Sequence, residues 1–220
     1  MKSYDLHGIG MTSARSRARL VNLLERKQVT HSGVLEAFAA VPRHIFVEEA
    51  MAHLAYQDRA LPIGHGQTIS QPFTVAVMTA ALLESPRDSV LEVGTGSGFQ
   101  TALLAQLCAK VFTVERIKPL LDQARRRFEA LKIRNVFSKL GDGYDGWADQ
   151  GPFGGILVTA APRAVPRRLL EQLDVGGRMV VPVGGDGNQR LKVIDRTGQG
   201  YGEREVDGAR FVPLVKGLRT

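Results

Sequence analysis

One cysteine stands in 220 residues, so no disulfide can form within the chain and the disulfide-stapled class of small domains is excluded. That residue, Cys108, closes the apolar run Thr101-Ala-Leu-Leu-Ala-Gln-Leu-Cys108, where a buried, inert thiol is expected. A single cysteine also removes thiolate zinc sites. The five histidines (His7, His31, His44, His53 and His65) show no ligand spacing, and no metal is expected. No run approaches the roughly 18 apolar residues that a membrane span needs. Residues 1–11 lack the apolar stretch of a secretory signal peptide. These absences lead to the expectation of a cytoplasmic protein working away from membranes. Aromatic residues are also scarce, at 6% of the chain, and they are not interleaved with the basic ones. The formal net charge of +7 gathers partly at Arg15, Arg17, Arg19, Arg26 and Lys27, and again at Arg125, Arg126 and Arg127. A solvated basic face is therefore expected rather than a nucleic-acid surface.

What is present is ordinary in bulk and specific in detail. Hydrophobic residues make up 44% and charged residues 23%, enough apolar material for one α/β domain with a sizeable core. From Arg15 to about Ala55 the apolar residues Leu20, Leu23, Leu24, Leu35, Phe38 and Val41 recur at helical spacing, with Pro42 as punctuation. Residues 1–60 are thus expected to form a helical N-terminal extension, and residues 61–220 one compact domain. The stretch from Ala60 to Pro72 carries several chain breakers and is expected to be a loop, followed by a helix from Pro72 to Leu83.

Beyond it, β-rich runs alternate with helical ones. The runs at 89–93, 110–114, 135–140, 155–159 and 178–183 are strand-like, and those at 100–107, 119–131 and 166–173 are helical. This rhythm predicts a doubly wound, mostly parallel sheet of Rossmann-like type. The tail from Arg190 to Val215 reads as β, broken by Gly198, Gly200 and Gly208, and is expected to add antiparallel edge strands.

The strongest local signal is Leu91-Glu-Val-Gly-Thr-Gly-Ser-Gly98, which follows a strand and opens a helix. Gly94, Gly96 and Gly98 permit a sharp turn and close approach to a ligand, and the exposed N–H groups at the helix start favour a polar one. Seventeen positions after Gly98, Glu115 ends the next strand, where a carboxylate can accept both hydroxyls of a ribose. The following strand ends in Gly141-Asp142-Gly143, whose acid could read an adenine amino group. Taken alone, these features are also what a tight turn, a solvated strand-end acid and an Asp-Gly turn look like. Together they deliver functional groups to the carboxyl edge of a parallel sheet, where such folds bind ligands. The glycine spacing is G-x-G-x-G rather than the dinucleotide pattern, and Glu92 would repel a diphosphate. S-adenosylmethionine is therefore favoured over a nicotinamide dinucleotide.

Several separate segments carry a wider resemblance. They are Val41-Pro-Arg43, Leu61-Pro-Ile-Gly64, Thr68-Ile-Ser-Gln-Pro72, Val90 to Gly98, Val114-Glu-Arg116, Gly141-Asp-Gly143, Val158-Thr-Ala-Ala-Pro162 and Arg210-Phe-Val-Pro-Leu-Val-Lys-Gly217. From about residue 15 onward the chain resembles the protein-L-isoaspartate O-methyltransferase family. The resemblance implies a class I methyltransferase fold and an S-adenosyl-L-methionine cofactor, leaving as S-adenosyl-L-homocysteine. It also implies isoaspartyl peptides and proteins as partners, and a monomer. The reaction it implies is methylation of the free α-carboxylate of an L-isoaspartyl residue, which starts repair through a succinimide. Cofactor contacts are then expected from Gln67, Thr68, Ile69, Ser70, Glu92, Gly94, Gly96, Gly98, Glu115, Asp142, Gly143 and Thr159. Substrate contacts are expected from Thr68, Ile69, Ser70, Arg210, Phe211 and Val212, the last through backbone hydrogen bonds.

This chemistry asks little of acid–base groups, because an α-carboxylate with a pKa of about 3.5 is already ionised at neutral pH. No general base stands out beside Ser70, so Ser70 is expected to position the substrate rather than attack it. A residue there could equally cap the helix that starts at Pro72. Two other functions stay open on sequence grounds: a methyltransferase for RNA or a small molecule, and a non-catalytic binding protein of the same fold.

Overall fold

Apolar residues three and four apart make the N-terminal segment helical. In a computed structural model describing residues 4–185, 187–208 and 210–219, α1 (Ala14–Arg26) buries Leu20 and Leu24, and α2 (Ser32–Ala40) buries Val34, Ala37 and Phe38. Two short 3-10 segments, Arg43–Phe46 and Glu49–Leu54, complete the extension. The extension shares one apolar core with later elements, Phe99, Ala102, Leu103, Ile117 and Leu120 among them. Phe99 lies edge-on to Phe38 at 5.6 Å and to Phe46 at 5.5 Å between ring centres. A buried phenylalanine stabilises by about 1.5–3 kcal/mol, more than an exposed ion pair, so apolar contact docks the extension.

The segment at 60–72 is not a plain loop. Its ends pair as β1 (Leu61–Pro62) and β2 (Thr68–Ile69), in register Leu61 to Ile69. The turn between them is closed by the Ile63 N–H on the Gln67 carbonyl at 3.0 Å. Apolar Leu61 and Ile69 face the interior, and that burial fixes the register. Helix α3 (Pro72–Leu82) follows directly, with its proline in the first turn, where a missing N–H leaves no bond unmade.

The predicted alternation then appears as β3 (Ser89–Val93), α4 (Phe99–Leu107), β4 (Lys110–Glu115), α5 (Lys118–Ala130), β5 (Val136–Leu140), β6 (Phe153–Val158), α6 (Arg167–Glu171) and β7 (Leu173–Val183). Strands β8 (Arg190–Thr197) and β9 (Gly200–Gly208) end the sheet, whose order is β5-β4-β3-β6-β7-β8-β9. The pairs from β5 through β7 are parallel, and the last two are antiparallel. The doubly wound sheet with antiparallel edge strands is therefore present.

Two boundaries differ from the sequence reading. Helix α6 is only five residues long, because Leu173 already pairs with Phe153 in the sheet. The tail beyond residue 210 forms no strand and makes two isolated bridges to the loops after β6 and β4, Ala161 to Pro213 and Ile117 to Arg219; at the first, proline has no N–H with which to extend a ladder. Among the described residues no helix is long and apolar enough to cross a membrane. Cys108 is buried, and burial pushes its thiol up to about 12, which leaves it inert.

Candidate functional site

The chain runs outward from β3 through β4 to β5 and returns to the other side of β3 as β6. The loops after these four strands meet at one edge, the switch point where open α/β sheets bind ligands. After β3 comes the glycine turn. Gly94 has φ +99°, and a side-chain carbon there would lie 2.4 Å from the Thr159 hydroxyl oxygen. Thr159, just past β6, closes the turn by donating that hydroxyl to the carbonyls of Val93 and Gly94, at 3.0 and 2.7 Å. The β3 and β6 ends are thereby locked together.

Glu115 ends β4 and is almost fully buried. It accepts the Gly96 N–H at 2.8 Å and the Ile117 N–H at 2.9 Å, so its carboxylate is pinned to both the glycine turn and its own loop. Burial raises its pKa, against the pull of the backbone donors.

These groups frame a narrow cavity of about 110 Å³. Gln67, Thr68, Ile69 and Ser70 line one wall, and Gly94, Gly96, Glu115, Gly143 and Thr159 the other. Phe211 and Val212 lie across the mouth. A second, wider cavity of about 970 Å³ opens beside it and shares Thr68, Ser70, Thr159, Phe211 and Val212; Arg190 and Arg210 line its outer part. Ser70 and Thr159 thus stand where the inner cavity meets the outer one.

Three expectations need correction. Glu92 does not line either cavity. It lies fully buried under the turn, accepting the hydroxyls of Thr101 at 2.5 Å and Thr113 at 2.6 Å, with its other oxygen unpaired among the described residues. Burial, and the neighbouring Glu115 charge, push its carboxyl up to about 8 against those two hydroxyls. Burial thus favours its neutral form, and its place under the turn does not present it to either cavity as the expected negative group. The strand pleat explains the placement: Val93 faces the cavity, and the preceding residue faces the other way.

Asp142 also turns away. Its carboxylate accepts the Gly217 N–H at 2.6 Å and the Tyr144 N–H at 2.9 Å, leaving only Gly143 on the inner cavity. Gly98 lies behind the turn, where a side-chain carbon would meet the Phe128 ring at 2.8 Å. The Val212 carbonyl accepts the Ala161 N–H at 2.8 Å, which ties the C-terminal segment to the residues after β6. Nor is Ser70 a helix cap: the residue before α3 is Gln71, and no side chain caps that helix.

Two arginines escaped the sequence reading. Arg127, counted with the solvated basic group, is buried and donates to the carbonyls of Ile45 at 2.8 Å and Ser97 at 2.9 Å. Arg43 is 1% exposed and stacks over Phe99 with its guanidinium carbon 4.7 Å from the ring centre. Its Nε donates to the Ala55 carbonyl at 2.9 Å, and its Nη2 to the Ser70 carbonyl at 2.8 Å. Burial pulls its pKa down to about 9. No local signal separates these arginines from their exposed neighbours; only the alternation of buried positions along α5, Leu120, Leu121, Ala124 and Phe128, hinted at Arg127. The basic N-terminus is likewise partly structural, since Lys27 pairs with Asp58 at 2.6 Å and Arg17 donates to the last carbonyls of α2.

The cavity's donor set fits a nucleoside that carries no phosphate. A fixed carboxylate suits a pair of sugar hydroxyls, and Ile63, Val93, Phe99 and Ile117 supply apolar walls. The arginine at its rim, Arg116, directs its Nε to the Gly217 carbonyl at 2.8 Å. Among the described residues no group of three or more His, Cys, Asp or Glu is placed to hold a metal.

Comparison with known proteins matches residues 15–219 to the family model described as protein-L-isoaspartate(D-aspartate) O-methyltransferase. A Hahella chejuensis protein-L-isoaspartate O-methyltransferase is 55% identical over 94% of this chain and 99% of its own length. One from Halorhodospira halophila is 51% identical over 99% of both chains. A solved protein-L-isoaspartate O-methyltransferase superposes with a TM-score of 0.82 at 26% identity, over 92% of this chain and 67% of the other. A Plasmodium falciparum structure, described as such an enzyme in complex with S-adenosyl-L-homocysteine, gives a TM-score of 0.78 at 24% identity, over 90% of this chain and 98% of the other, and so shows the shared fold.

Proposed function

We propose a division of labour in the site from one premise: the chain belongs to the protein-L-isoaspartate(D-aspartate) O-methyltransferase family. It is an S-adenosylmethionine-dependent protein carboxyl methyltransferase that acts on L-isoaspartyl residues and so begins the repair of damaged proteins. In the proposed division, the inner cavity holds the cofactor and the outer one the peptide. Glu115 takes the ribose hydroxyls. Gly94, Gly96 and Gly143 give backbone access, and Gln67, Thr68, Ile69 and Thr159 complete the wall. Glu92, Gly98 and Asp142 shape the turn and the C-terminal segment from behind.

When bound, S-adenosylmethionine supplies an electrophilic methyl carbon on a sulfonium sulfur. The residues of the chain have three tasks beside it. They exclude water, they hold an already ionised carboxylate, and they align it. Opposite charges are lost as the methyl ester forms, so a dry, low-dielectric site favours the reaction once the ions are together. No proton moves, so no general base is required. Ser70 donates its hydroxyl to the substrate carboxylate and sets its direction. Arg210 and Phe211 steady the peptide outside, and Val212 offers it backbone hydrogen bonds.

The observation that carries this reading is the position of Ser70, on the wall common to both cavities. Methyl transfer to one isoaspartyl peptide and to its normal aspartyl twin tests it: transfer to the first alone is expected, and equal transfer to both would refute the substrate. The same reading takes residues 1–60 as an extension completing a methyltransferase unit at 61–220. It takes the protein as a cytoplasmic monomer without a nucleic-acid partner; gel filtration and a binding assay with RNA check these points.

A further inference from the structure

We propose that Arg43, with Asp58, is a positioning residue for methyl transfer: the pair holds residues 70–73 by the backbone so that the Ser70 hydroxyl faces the substrate carboxylate. This rests on the role of Ser70 given above.

The loop before α3 has few ties of its own. Ser70 and Gln71 are followed by Pro72, which has no N–H to offer, and no side chain caps the helix. Its ties come from the N-terminal extension. Arg43 reaches the Ser70 carbonyl at 2.8 Å. Asp58 takes the Phe73 N–H at 2.8 Å on one oxygen and the Gln71 side-chain amide at 3.0 Å on the other. Three successive points, the carbonyl of Ser70, the side chain of Gln71 and the N–H of Phe73, are therefore gripped by two charged residues. These ties restrain the Ser70 carbonyl and the start of α3, and so limit how far the backbone that carries the Ser70 side chain can shift.

The chemistry of Arg43 argues against a purely space-filling role. Its guanidinium is buried beside an aromatic ring, and Nη1 has no hydrogen-bond partner among the described residues. A methionine of similar reach would fill this space without desolvating a charge. Only a planar, forked donor reaches the Ala55 and Ser70 carbonyls at once. The fork thus joins the end of the Glu49–Leu54 segment, through its capping residue, to the loop that bears Ser70.

The test compares Arg43→Met, Arg43→Lys, Asp58→Ala, Ser70→Ala and the Arg43→Met/Ser70→Ala double variant in the full chain. Turnover of an isoaspartyl peptide is read beside S-adenosylhomocysteine affinity by calorimetry and thermal melting. Arg43→Met is expected to lower kcat about tenfold or more, with S-adenosylhomocysteine affinity kept within about twofold. Arg43→Lys, whose point charge can reach one carbonyl, should fall between it and the parent. The double variant should be no slower than Ser70→Ala, because Arg43 acts through Ser70. A folded Arg43→Met enzyme with unaltered kcat, or losses that multiply in the double variant, would overturn the inference. If Arg43→Met does not fold, Asp58→Ala decides: full kcat overturns, a lowered kcat with intact cofactor affinity supports. Failure of both to fold also overturns it, since the contacts would then serve the fold and not the loop. Full activity of Ser70→Ala would instead remove the Ser70 role on which the inference rests.

Discussion

The glycine turn and the Ser70 loop face each other across one cavity, yet they are held in shape by different means. The turn is shaped from beside and below, by Glu115 on the Gly96 N–H, Thr159 on the carbonyls of Val93 and Gly94, and a hydroxyl chain running Thr95–Thr113–Glu92–Thr101. All these partners lie in β3, β4, α4, the turn itself or the residue just past β6. The Ser70 loop is held from a distance, by Arg43 and Asp58 of the N-terminal extension. On the proposed reading, the cofactor site is built from a few consecutive strand ends, whereas the substrate side is fastened to a separate element. Damage to the two regions should therefore separate. Changes in the turn should strike cofactor binding and stability together, and changes at the loop should strike turnover.

The turn is easiest to break at Gly94. A side chain there meets the Thr159 hydroxyl at 2.4 Å on a backbone with φ +99°. Gly94→Ala is expected to destabilise the fold by about 2–4 kcal/mol and to weaken S-adenosylhomocysteine binding by about a hundredfold or more. Urea melts and calorimetry measure the two.

A slightly smaller effect is expected from Glu92. Its ordinary pKa is 4.5, and burial lifts it to about 8 in the folded state. Between those values the folded chain holds the proton more tightly than the unfolded one. This contribution to stability is thus complete below about pH 4.5 and is lost as pH rises through 8. Glu92→Gln should remove that slope and leave the variant more stable than the parent at pH 9, by up to a few kcal/mol. Urea melts between pH 5 and 9 read it, and parallel slopes would show that the carboxyl is not held neutral.

At the loop, Ser70→Ala should cost about ten- to a hundredfold in kcat, about 1–3 kcal/mol of barrier, with S-adenosylhomocysteine affinity within about twofold. An equal loss in both quantities would erase the contrast between the two regions. The smallest effect is expected at Asp142, whose carboxylate ties Gly217 rather than facing the cofactor cavity. Asp142→Ala should weaken cofactor binding by about 1 kcal/mol or less while exposing the C-terminal segment to protease. A loss of about 3 kcal/mol would instead place the acid in direct contact with the ligand.

Much of this was legible along the chain. The G-x-G-x-G turn, the strand-end position of Glu115 and the period of the β/α alternation all depend on neighbours in sequence, and β3, β4 and α4 appear within a residue or so of their predicted ends. Residues whose role depends on the side of a strand were harder. Proximity to the motif points Glu92 at the ligand, and a strand-end position points Asp142 at it, but pleat and the returning C-terminal segment turn them elsewhere. Arg43 and Arg127 could not be told from surface arginines, because what distinguishes them is burial against segments 27 and 82 residues away.

The amino-acid order alone determined the class of fold, the cofactor turn and the membership that the family motifs announce, since hydrophobic period and glycine spacing act over a few residues. Only the tertiary structure decided which carboxylates face the cavity and what binds the Ser70 carbonyl. Those outcomes depend on which groups folding takes out of water together, and a buried charge goes where a distant carbonyl can receive it.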